Sequence, residues 1–127
     1  MKNLYTILIS MLFIFILSKV SASNQTLIIY TYDSFAAEWG PGPAIETAFE
    51  KKCECEVEFV STSNAGTLLT KIKLEGANSK ADIVLGFDQN FLVEAENTNL
   101  FVKHEIMPNI ELDWDNQYFT PYDYGLF

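Results

Sequence analysis

Tyr32, Asp33 and Ser34 end a short apolar run, Leu27–Tyr30, with a ring face, a carboxylate and a hydroxyl in succession. Buried strands usually end in plain turn residues. Aromatic faces beside a few hydrogen-bonding tips are what a small-molecule cleft uses. Tyr32 can stack on an aromatic heterocycle while Asp33 accepts hydrogen bonds from an amino group on it, and aromatic faces also attract a cationic ring. The competing reading is structural, with Asp33 capping a turn and Tyr32 packed at the edge of the core. Trp39, a few residues on, either walls the same cleft or covers the helix that follows.

Other stretches offer similar chemistry. Asn64, Ala65, Gly66 and Thr67 open a helical pattern. The unpaired N–H groups of a helix start, at the positive end of its dipole, suit a phosphate or hydroxyl oxygen. An ordinary N-cap explains Ser63 or Asn64 equally well. Asp88 either caps its own helix or reaches a ligand. Tyr122, Asp123 and Tyr124 form an aromatic segment with polar tips, suited to a cleft wall or to a partly buried edge strand. Cys53 and Cys55 form a C-x-C pair. In a strand, residues two apart share a face with Cα atoms about 6.5 Å apart, the upper end of disulfide geometry. A structural pair, oxidised or reduced, is favoured over a metal site, because zinc wants four ligands and the chain has one histidine, His104. No metal or cofactor site is expected.

The elements that must position these groups follow from periodicity. Thr26–Tyr32 reads as a first strand, bounded by Asp33-Ser34. A helix follows Gly40-Pro41-Gly42-Pro43, with proline near its first turn. Its apolar stripe is Ala44, Ile45, Ala48 and Phe49, and Glu46 and Glu50 point outward. Cys55–Val60 alternates as a second strand. A helix carrying Leu68, Leu69, Ile72 and Leu74 is stopped by Gly76. Asp82–Gly86 reads as a third strand buried on both faces, and Asp88 opens a third helix bearing Phe91, Leu92 and Ala95. Lys103–Thr120 is irregular and acidic. This β-α-β-α-β-α order predicts an α/β domain with a parallel sheet flanked by helices. Ligands bind such sheets at the carboxyl ends of the strands. Three loops meet there: Tyr32–Trp39, Ser61–Thr67 and Gly86–Asn90.

Residues 1–22 read as a cleavable signal peptide, with Lys2, an apolar run from Leu4 to Leu17, and the small residues Val20-Ser21-Ala22. The run is short for a membrane span, and no cysteine stands at the cleavage point to carry a lipid. Cleavage takes away Lys2 and Lys19, leaving six basic against seventeen acidic residues, so the formal charge moves from −9 to −11. There is no arginine. Such a surface repels nucleic acid and suits a cationic solute. Residues 23–127 are enough for one small domain.

Three stretches carry a family resemblance: Tyr30–Pro43, Glu75–Asn90 and Phe119–Gly125. Together they resemble the N-terminal part of bacterial periplasmic thiamine-binding proteins, the solute receptors of thiamine importers. The resemblance implies a type II periplasmic-binding-protein-like fold and binding of thiamine or its phosphates without covalent chemistry. It also implies delivery to an inner-membrane ABC permease and its ATPase, and a monomer when full length. The second domain of such receptors is expected to be missing, so residues 23–127 form one wall of a two-walled cleft. The resemblance implies backbone contacts to ligand at Asn64 and Ala65, although the Asp-Gly expected in that loop is replaced, with the glycine at Gly66. The alternatives within the class are a receptor for a polyamine or a metal ion, or a non-functional fragment. A secreted thiaminase, which shares the receptor-like fold, is disfavoured. Both cysteines lie at the start of the second strand, opposite the cleft edge, with no histidine to activate them.

Overall fold

The computed structural model describes residues 25–106, 109, 111 and 113–122. The proposed signal peptide and Asp123 lie outside these residues. Strand β1 (Thr26–Tyr32) is followed by the one-turn helix α1 (Asp33–Ala36), helix α2 (Gly42–Cys53), strand β2 (Glu56–Thr62) and helix α3 (Ala65–Glu75). A short 3-10 helix (Gly76–Asn78), strand β3 (Ile83–Val84) and helix α4 (Gln89–Asn97) complete the regular elements. The sheet is parallel in the order β2-β1-β3, with Tyr32 opposite Thr62 and Tyr30 opposite Val84. Among the described residues, no helix is long and apolar enough to cross a membrane.

The alternation of β1 sends its side chains to two layers. On one face Tyr30 packs with Leu68 and Ile72 of α3, and Ile28, Val60, Val84, Phe87 and Phe101 close around them. Lys71 lies 4.8 Å over the Tyr30 ring and pairs with Glu75 at 2.5 Å. Its hydrogen bond holds the Glu75 carboxyl below the usual range, and the same contact raises the Lys71 ammonium. On the other face lie Ile29 and Val57, both buried.

Helix α3 begins and ends as its residue types dictate. The Asn64 side chain accepts a hydrogen bond from Thr67 N–H at 2.9 Å, and Thr67 Oγ1 accepts from Asn64 N–H at 3.1 Å, forming a capping box. Gly76, at φ +55, ends the helix. Asn64→Ala is expected to cost about 1 kcal/mol and to lower the thermal midpoint by a few degrees. Thermal melts of the two proteins check it, an unchanged midpoint counting against the cap.

Three expectations are corrected. The apolar stripe of α2 is present but largely uncovered, with Ile45 48% and Phe49 41% exposed. The helix docks instead through Gly42, where a Cβ would lie 2.7 Å from the Phe35 carbonyl oxygen, and through Glu50, which is half-buried. Glu50 therefore does not point outward: its Oε1 accepts from Val57 N–H at 2.9 Å. The third strand shrinks to Ile83–Val84 and is not buried on both faces, since Ile83 is 44% exposed. It lies at the edge of the described sheet, although Asp82 N–H to the Ile28 carbonyl and Leu85 N–H to the Tyr30 carbonyl (both 2.9 Å) extend its pairing. Finally, the cysteines do not share a strand. Cys53 ends α2, Cys55 precedes β2, and Glu54 between them is left-handed at φ 56. That turn brings the Cα atoms to 5.2 Å, and the pair is a disulfide.

Candidate functional site

Parallel strands bring the ends of β1, β2 and β3 to one edge, where α1, α3 and α4 begin. Tyr32 is the last residue of β1, and Asp33 the first of α1. The register that sets Thr31 opposite Ser61 brings the Ser61 hydroxyl to Asp33, to which it donates at 2.7 Å. One carboxylate oxygen of Asp33 is thereby engaged and the other stays on an exposed residue, able to accept from a ligand. The Tyr32 hydroxyl meets the Tyr122 hydroxyl at 3.2 Å. Phe35, 2% exposed, supports both rings edge-on, at 6.0 Å from Tyr32 and 6.4 Å from Tyr122. Phe59 backs Phe35 at 5.7 Å.

Gly86 is the residue on which the Tyr32 ring rests. A Cβ there would lie 2.3 Å from Cδ1 of that ring, and its φ of +114 belongs to glycine in any case. Neither Gly86 nor Ser61 was singled out as a candidate by sequence reasoning. A glycine closing an apolar strand signals close approach of another group, and Ser61 follows β2 as Asp33 follows β1.

The remaining candidates are placed as follows. Asn64 and Ala65 stand at the start of α3 on the same edge. The Asn64 side chain is committed to the capping box, so backbone N–H groups are what this turn can offer a ligand. Asp88 caps α4, its Oδ1 accepting from Asn90 N–H at 2.8 Å. The starts of α3 and α4 adjoin, because a Cβ on Gly66 would sit 3.8 Å from the Phe91 ring. Ser34 is exposed on α1. Trp39 is 80% exposed and covers neither the helix nor a closed cleft. Tyr122 is 59% exposed. Tyr32, Asp33 and Tyr122 thus form one group, Asn64, Ala65 and Asp88 line the adjoining helix starts, and Trp39 is exposed on the turn that packs against α1.

The arrangement is an open ledge: aromatic rings on a buried phenylalanine, one carboxylate, and helix starts beside it. It can stack a flat heterocycle and accept a hydrogen bond from it. Two cavities lie elsewhere. One, of about 490 Å³, is at the opposite edge between Leu27, Phe49, Asp82 and the disulfide, and another, of about 520 Å³, surrounds His104 and Trp114. Among the described residues, no group of three or more His, Cys, Asp or Glu side chains could hold a metal ion. Both cysteines are in the disulfide.

No protein-family model matches the chain. Curated proteins do. It is 48% identical over 108 residues to the thiamine-binding periplasmic protein of Escherichia coli K12, covering 83% of this chain and 33% of that protein. The protein of the same name from Brucella suis is 45% identical over 114 residues, covering 87% and 34%. That of Haemophilus influenzae is 39% identical over 116 residues, covering 88% and 35%. Among solved structures, a periplasmic thiamin binding protein superposes with a TM-score of 0.71 at 45% identity, over 76% of this chain and 31% of that one. The chain is therefore similar to the N-terminal part of thiamine-binding periplasmic proteins and has the fold of that part, a parallel sheet flanked by helices. It spans about a third of the length of the curated relatives it matches.

Proposed function

We propose that this chain binds thiamine, or its phosphates, at the carboxyl edge of its sheet and forms one lobe of a periplasmic receptor serving an ABC importer. The observation that carries the reading is the Tyr32–Asp33–Tyr122 group, found in a chain so similar to proteins named for thiamine binding. Tyr32 stacks on a ring of the ligand, Asp33 Oδ2 accepts from the aminopyrimidine, and aromatic faces attract the thiazolium cation. The helix starts at Ala65 and Gly66 offer N–H groups to a hydroxyl or phosphate oxygen. In this reading residues 1–22 direct export and are removed. The role is binding without catalysis, in keeping with a disulfide that leaves neither cysteine as a thiol nucleophile.

An open ledge holds a ligand on one side only, so affinity for the chain alone should be weak, with Kd above about 1 μM. Titrating thiamine into the chain, followed by NMR, should move the signals of Tyr32, Asp33 and Ser61 first. Tyr32→Ala should weaken binding further, by about 1–3 kcal/mol for loss of a stacked ring. Signals that stay still at millimolar thiamine would remove the ledge from consideration. Sub-micromolar binding by the monomer would mean the site is complete on this lobe.

A further inference from the structure

Asp33 supplies the carboxylate of the ledge, and its backbone is already fixed. It follows the last residue of β1, and its carbonyl accepts from Ala37 N–H at 2.9 Å where α1 ends. The side chain is freer by nature. The carboxyl torsion of an aspartate is broad and roughly two-fold, so an exposed one turns to suit whatever donor is near. Here it is held. Ser61 Oγ donates to Asp33 Oδ1 at 2.7 Å, the short distance of a hydroxyl on a carboxylate. Ser61 in turn has little room to move. It stands on β2 opposite Thr31, which is wholly buried. The next residue ties the strand end down, Thr62 Oγ1 lying 3.1 Å from the Asn64 carbonyl and 3.4 Å from that of Thr31.

The other carboxylate oxygen, Asp33 Oδ2, has no hydrogen-bond partner among the described residues. An ionised carboxylate only accepts, and with Oδ1 engaged this one cannot swing aside. We propose that Ser61 is a positioning residue that sets the specificity of the ledge. By holding Asp33 Oδ1 it makes Oδ2 a fixed acceptor, which takes a flat ring bearing an exocyclic amino group and rejects the same ring bearing a carbonyl oxygen at that place. The inference rests on the thiamine reading above and names what the ledge selects within it.

The 4-oxo analogue of thiamine differs from thiamine at the group that Asp33 accepts from. A carbonyl oxygen replaces the amino group, and the donor is the ring N–H beside it. A stacked ring stays where its overlap with Tyr32 is best, so a held Oδ2 meets the carbonyl acceptor to acceptor. A carboxylate free to turn reaches the neighbouring N–H instead. Loss of the Ser61 hydroxyl should therefore help the analogue and do nothing for thiamine. A residue that merely kept the strand end in shape would, when changed, weaken both compounds alike.

Titrations of the intact chain with thiamine and with its 4-oxo analogue, read by NMR at Tyr32 and Asp33, give the ratio of the two dissociation constants. The wild type should favour thiamine by about fivefold or more, well below the discrimination of an enclosed site because the ledge is open. In Ser61→Ala the ratio should fall to about twofold or less, with the analogue binding more tightly than it does to the wild type. Ser61→Thr, which returns a hydroxyl on a side chain suited to a strand, should restore the preference. A ratio that Ser61→Ala leaves unchanged would overturn the positioning role. A wild-type ratio near one would do the same and needs no variant to fold; signals that still move with both compounds would then keep the ledge as the thiamine site. Signals that move with neither compound would overturn that reading and the selection together.

Discussion

Replacing Leu68 by alanine should cost about 2–5 kcal/mol, the range for truncating a fully enclosed leucine. Leu68 has no exposed surface and sits between Tyr30 and Ile72, where the whole α3 layer meets β1. The cavity left by its missing methyl groups cannot be filled by water without wetting the Tyr30 ring. A small domain has about 5–15 kcal/mol in total, so the thermal midpoint should drop by more than about 10 °C. Ile45→Ala on α2, a residue 48% exposed, should cost well under 1 kcal/mol by comparison. Parallel thermal melts check both, and equal losses would mean the core has been assigned to the wrong face of the sheet.

Gly86→Val combines two penalties at the ledge. A β-branched residue at φ +114 costs about 1–3 kcal/mol in backbone strain alone. Its Cβ would also fall 2.3 Å from the Tyr32 ring, closer than any carbon contact allows, so either the ring swings out or the loop after β3 withdraws. The expected result is loss of the Tyr32–Tyr122 contact with the α3 core retained and, on the thiamine reading proposed above, a fall in affinity at least as large as that of Tyr32→Ala. Near-ultraviolet circular dichroism reads the tyrosine packing, and far-ultraviolet spectra read the core. An unchanged tyrosine signal in a folded variant would mean that Gly86 does not support the ring.

Much of this was legible in the residues. Thr26–Tyr32 is bounded in the sequence as it is in the fold, because β-branched and aromatic residues give way abruptly to Asp33-Ser34. Helix α3 was nearly as plain: Gly76 marks its end by backbone chemistry, and Ser63 or Asn64 marks its start, with the capping box deciding for Asn64. The gathering of three loops at one edge followed from strand direction. What escaped depends on contacts distant in sequence. Periodicity names the apolar stripe of α2 but says nothing of what covers it, and here Gly42 and Glu50 decide how the helix sits. The separation of Cys53 and Cys55 turned on one left-handed residue, Glu54, with no local signature of its own. Ser61 as the partner of Asp33 depends on strand register, which only pairing reveals.

The sheet order has a mechanical consequence. β1 is flanked on both sides in the described sheet, matched residue for residue by β2 over seven positions, whereas β3 is paired to it at two, with hydrogen bonds from Asp82 and Leu85 on either side. Local opening begins where few bonds must break, so the sheet yields from the β3 side while β1 and β2 stay joined. The ledge therefore has one stiff wall and one compliant wall. Tyr32 and Asp33 grow from the stiff one, and Gly86 and Asp88 ride on the compliant one. A flat ligand would find its stacking surface already set, and the loop after β3 would adjust its distance to whatever lies on that surface.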